Sequence, residues 1–101
     1  MSAVVVPLPI EPAPLRTVDR GMAGSQWVYR FPNGYGASVI RGPWSYGGPE
    51  GLYELGVVVF SGDSWELTYE TPITSDVLGH LSLDEVAATL AKIAALPEVT
   101  R

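Results

Sequence analysis

The sequence contains no cysteine, one histidine (His80) and one lysine (Lys92) among its 101 residues. Lack of cysteine excludes disulfides, thiolate zinc sites and cysteine nucleophiles. A single imidazole leaves metal and acid–base chemistry short of its commonest side chain. No apolar run approaches the ~20 residues a membrane-spanning helix needs; the longest runs from Leu55 to Phe60. Positive charge is missing from the middle of the chain. From Gly42 to Ala91 there is no lysine or arginine, while Glu50, Glu54, Asp63, Glu66, Glu70, Asp76, Asp84 and Glu85 all fall there. The formal net charge is −5. Such a field repels phosphate backbones, and no basic stripe exists, so direct nucleic-acid binding is not expected. Two readings of the acids remain: a solvated surface, or a face that docks on a basic protein surface.

What is present suits one small folded domain, with 47% apolar and 17% charged residues. The apolar start Met1 to Val6 has no basic residues before it, and Pro7 and Pro9 interrupt it. A secretory signal is therefore not expected, nor a membrane contact, and the expected location is cytoplasmic.

Residues 1–25 read as an extended proline-rich arm. Pro7, Pro9, Pro12 and Pro14 exclude a helix or a central strand. Val4, Val5, Val6, Leu8 and Ile10 are too apolar for a solvated tail. They are expected to lie on the core, form an edge strand or pack on a second subunit, which leaves a homo-oligomer through the arm open.

Residues 26–101 read as one α+β domain, a four-stranded antiparallel meander followed by a C-terminal amphipathic helix packed on a sheet face. The first strand, Gln26 to Phe31, alternates Trp27, Tyr29 and Phe31 with Val28 and Arg30. Pro32-Asn33-Gly34 predicts a three-residue hairpin loop pairing Phe31 with Tyr35. A two-residue Asn33-Gly34 loop is the alternative, and it would flip the faces of the next strand. Strands follow at Tyr35 to Arg41 and Leu52 to Phe60, the latter central and covered on both faces at Val57 to Phe60. Ser64 to Glu70 is the fourth, with Trp65, Leu67 and Tyr69 inward and Glu66, Thr68 and Glu70 outward. Thr71 to His80 reads as a loop. Ser82-Leu83-Asp84-Glu85 is a capping box, Leu81 and Val86 fit a hydrophobic staple, and Pro97 stops the helix near Leu96. Leu83, Val86, Ala87, Leu90, Ile93 and Ala94 form its apolar stripe.

No residue set for catalysis stands out, and no cofactor or metal is expected. Asp76 lies four residues before His80, a spacing that fixes no geometry in a loop. Glu66 and Glu70 share a strand face, and Glu54 on the preceding strand could join them as a three-carboxylate cluster for a hard cation. The plainer reading is an exposed polar face. The loop from Gly42 to Gly51 lacks the lysine and glycine spacing of a phosphate loop. Its Trp44 and Tyr46 either fold back as a lid over the core or stand out as interface anchors. The candidate partner-binding residues are therefore Trp44, Tyr46, Glu50, Glu54, Glu66 and Glu70.

The run Phe31-Pro32-Asn33-Gly34-Tyr35-Gly36-Ala37-Ser38-Val39-Ile40, with Ser45-Tyr46-Gly47 and Gly51-Leu52-Tyr53-Glu54-Leu55, resembles small uncharacterised proteins of phages and mobile elements. The likeness covers about Trp27 to Leu96. It implies no reaction, and no residue role carries over. It favours a small accessory or inhibitory protein acting on a host or rival target. The expected function is a non-enzymatic protein-interaction module of phage type, with an acidic inhibitor as one form. A self-associating assembly protein using the arm is the alternative, and a small enzyme or metal-binding domain is the third.

Overall fold

A computed structural model describes residues 5–99. The meander forms as the alternation demands, with two strands more than the four expected. In chain order the elements are β1 (Arg16–Asp19), β2 (Ser25–Arg30), β3 (Tyr35–Arg41), β4 (Tyr53–Ser61), β5 (Ser64–Leu67), β6 (Leu78–Leu81) and α1 (Leu83–Ala94). All strand pairs are antiparallel in the order β1-β2-β3-β4-β5, with β6 also on β4. The nine-residue β4 gives Val58–Ser61 to β5 and its Tyr53–Leu55 end to β6.

The β2–β3 turn takes the three-residue form. Phe31 N–H donates to Tyr35 O at 2.8 Å, Gly34 N–H donates to Phe31 O at 3.1 Å, and Arg30 pairs with Gly36. Proline thus stays out of the ladder, and Trp27, Tyr29 and Phe31 keep one face.

That face carries the main core. Tyr29, Val39, Leu55 and Val57 meet Val86, Leu90 and Ile93 of α1, all nearly or wholly removed from water. Both reciprocal bonds of the capping box are made: Glu85 N–H donates to Ser82 Oγ at 3.2 Å, and Ser82 N–H donates to Glu85 Oε1 at 2.9 Å. The Ser82 N–H bond, with the Ser82 hydroxyl beside it, favours the ionised Glu85 carboxylate and holds its pKa below the ordinary 4.5. The helix ends at Ala94, two residues before the expected Leu96, and Ala94 is exposed rather than part of the stripe. Asn33 closes that end, its Nδ2 donating to the carbonyls of Ile93 (2.9 Å) and Leu96 (3.1 Å).

Two parts of the proline-rich segment join this structure. Arg16–Asp19 is the edge strand β1, while Leu8 is buried in the main core beside Val5 and Ile10. Trp27 Nε1 donates to Val6 O at 2.8 Å, giving a buried indole N–H its partner. The arm therefore shares the face that α1 covers; Val4 lies outside the described residues.

The expected fourth strand needs correction. It stops at Leu67, and the pairs Val59↔Glu66 and Phe60↔Trp65 turn Trp65 and Leu67 away from the helix. Trp65 packs half-buried on a second, smaller cluster of Val28, Val58 and Phe60. Leu67 stays 43% exposed and Tyr69 46% exposed. Alternation specifies a period of two but not which face another element will cover. Val57 and Val58 are buried on opposite faces of β4, as expected for a central strand.

Residues 78–81, read as the end of a loop and the staple, form β6. A bulge lies opposite Tyr53 and Leu55, and His80 takes a left-handed φ of 55°. The bulge breaks the alternation, so the short strand carries no period-two signal.

Candidate protein-interaction site

The loop between β3 and β4 is held by its own backbone. Ser45 Oγ accepts from Gly42 N–H (2.9 Å), Gly48 N–H donates to Ser45 O, and Leu52 N–H donates to Gly47 O. A 3-10 turn spans Gly48–Glu50. Two outside groups then clamp Tyr46. Its N–H donates to Glu54 Oε1 at 2.9 Å, and its carbonyl accepts from His80 N–H at 3.0 Å.

Two glycines make the clamp possible. Gly47 has a φ of 92°, and a Cβ there would stand 2.7 Å from His80 Cα. A Cβ on Gly79 would stand 2.5 Å from Tyr46 Cβ. Only hydrogen at both positions allows the loop to lie directly on β6.

The clamped backbone leaves its aromatic rings outside. Trp44 is 74% exposed and Tyr46 63% exposed. The lid reading is thereby corrected: the loop folds back on the sheet through its main chain, while these side chains face solvent. Trp44 borders a recess of about 130 Å³ lined also by Arg20, Ala23, Ile40 and Ser45. Met22, 85% exposed, stands on the β1–β2 turn at the same end of the sheet. The sequence reading missed Met22 and Arg20 because only the fold brings that turn beside the Trp44 loop.

The six candidate residues do not form one surface. Glu50 is exposed at the end of the 3-10 turn. Glu54 is half-buried and engaged by Tyr46, so it positions the loop. Glu66 and Glu70 are exposed and line a separate groove beside β5. The suggested three-carboxylate cluster is not formed. Glu54 pairs with Ile40, whereas Glu66 pairs with Val59, and these two β4-linked rows point to opposite sheet faces. Among the described residues no three His, Cys, Asp or Glu side chains come together as metal ligands. His80 is exposed, and its backbone holds Tyr46 in place. No described helix is long and apolar enough to cross a membrane.

Neither a family model, a curated protein nor a solved structure matches the chain.

Proposed function

We propose that this chain is a non-enzymatic protein-interaction module that presents Trp44 and Tyr46 to a partner protein. The observation that carries this reading is the pairing of a firmly bonded loop backbone with exposed aromatic side chains. Tryptophan and tyrosine supply much contact area for few rotatable bonds, and a backbone already ordered has less entropy to lose on association. Met22 extends the apolar part of the contact, and Arg20, which lines the recess beside Trp44, gives it a positive charge. The resemblance to small phage and mobile-element proteins suggests a host or rival protein as the partner, met in the cytoplasm and inhibited by occlusion.

The test is affinity capture from host lysate with the wild-type chain and with Trp44→Ala and Tyr46→Ala, each checked for an unchanged circular dichroism spectrum. A specific partner should be retained by the wild type and bound about tenfold or more weakly by Trp44→Ala. Equal retention by all three proteins would remove this contact pair from the function.

A further inference from the structure

Among the described residues β5 pairs on one side only, with β4. The ladder continues through Thr68 N–H to Val57 O at 2.8 Å. That phase turns the backbone groups of Ser64, Glu66 and Thr68 toward β4 and those of Trp65 and Leu67 outward. An outward-facing edge of this kind is a template for another extended chain.

The two faces of this edge differ chemically. On the helix side, Tyr35, Val59 and Glu66 form a row across three strands. The row opens into a groove of about 510 Å³ whose lining includes Tyr69, Glu70 and Val99. Two carboxylates beside two phenol rings suit a cation, by charge and by the negative faces of the rings. On the opposite side, Trp65 and the partly exposed Leu67 offer apolar surface. A symmetric pairing of two copies about Glu66 would set like carboxylates against each other, which disfavours self-association there.

We propose that the β5 edge receives an extended segment of a partner protein in which lysine or arginine alternates with valine, isoleucine or leucine. The basic side chains reach Glu66 and Glu70 over Tyr35 and Tyr69. The apolar ones lie on Trp65 and Leu67, and the main chain continues the sheet. The acidic groove of this edge shares no lining residue with the recess beside Trp44, whereas Trp65 and Leu67 line a recess with Arg20 and Ile40, which also border Trp44; the edge extends the recognition beyond that loop.

The probe is a blocked fluorescent peptide alternating lysine and valine, titrated against the full chain at physiological salt. Three control peptides accompany it: one of the same composition with its lysines and valines in separate blocks, and two N-methylated on alternate residues, one for each edge. The alternating peptide should saturate. The block peptide and at least one N-methylated peptide should bind about tenfold or more weakly, as should Glu66→Lys with the alternating peptide. Trp44→Ala should bind as the wild type does, which separates this surface from the one proposed above. Absent binding, or equal affinity for all four peptides, would overturn the proposal, the latter by reducing it to attraction toward a net negative chain. Binding that appears only in Arg101→Ala would assign the groove to the chain's own arginine. Sedimentation showing a dimer that the peptide dissociates would assign the edge to a second copy. Either result would overturn it.

Discussion

The side-chain amide of Asn33 donates to the carbonyl of Ile93 at 2.9 Å, joining residues sixty positions apart in the sequence. Its Oδ1 meanwhile accepts from Tyr35 N–H at 3.0 Å, within its own hairpin. One side chain thus shapes the β2–β3 turn and adds a donor to the carbonyls at the end of α1, of which Ile93 O also accepts from Leu96 N–H.

Asn33→Ala should therefore destabilise the fold by about 1–2 kcal/mol, through lost hydrogen bonds at two elements. Asn33→Asp keeps the acceptor for Tyr35 but loses the donor to the helix, and it adds a negative charge at the negative helix end. It should be no more stable than the alanine variant. Urea unfolding of the three proteins measures this.

At the other end of the helix, Ser82→Ala should cost about 1 kcal/mol. The Glu85 half of the box is pH-dependent. Its folded pKa lies below 4.5, so its stabilisation is complete above that value and is lost as pH falls through the folded value. Acid unfolding of Glu85→Gln should show less loss of stability in that window than the wild type.

Tyr29 is fully buried, and among the described residues its hydroxyl has no hydrogen-bond partner. Burial first, then the neighbouring Tyr53, pushes its pKa up to about 12 from 10.0. Stability linked to it is complete below pH 10 and falls as pH rises toward 12. Tyr29→Phe should leave neutral-pH stability unchanged or raise it by about 1 kcal/mol. It should also lessen the alkaline loss, as denaturant unfolding on both sides of pH 10 would show.

Gly79→Ala places a methyl group against Tyr46 Cβ. The loop must move off β6, at a cost of about 1–3 kcal/mol. Amide hydrogen exchange at Tyr46 and His80 should quicken more than at Leu90. Uniform exchange across all three would show that the clamp does not hold the loop locally.

Leu8→Ala tests whether the arm belongs to the core. The expected loss is about 2–4 kcal/mol, the usual range for emptying a buried leucine site. An unchanged denaturation midpoint would show that the arm contributes nothing to folding.

Much of this architecture was readable locally. Trp27, Tyr29 and Phe31 alternate as a strand must, Pro32-Asn33-Gly34 selects its own loop length, and Ser82 and Glu85 lie at the spacing of a reciprocal cap. Each signal depends on residues within a few positions of one another. The edge strand Arg16–Asp19 was less legible because it is short and of mixed polarity. The Leu78–Leu81 strand was hidden by the left-handed His80, which breaks the repeat a strand is recognised by.

The candidate site was only half legible. Aromatic residues in a glycine-rich loop marked Trp44 and Tyr46, but the seating of that loop depends on Gly47 lying against His80 and Gly79 against Tyr46, contacts between segments more than thirty residues apart. Glu54 and Glu66 looked like neighbours because adjacent strands carry them. Their separation follows from the β4–β5 register, since side chains alternate faces along every strand.

The chain on its own determined the antiparallel hairpin, the capped terminal helix and the absence of basic residues from its middle half, because short-range geometry and composition are written residue by residue. Tertiary structure alone decided which sheet face the helix and arm would cover, and hence that Trp65 and Leu67 turn away from the main core. It also placed Met22, Trp44 and Tyr46 at one end of the sheet. Those outcomes depend on strand register and on surfaces meeting over long separations, where the energy belongs to the pair and to neither segment by itself.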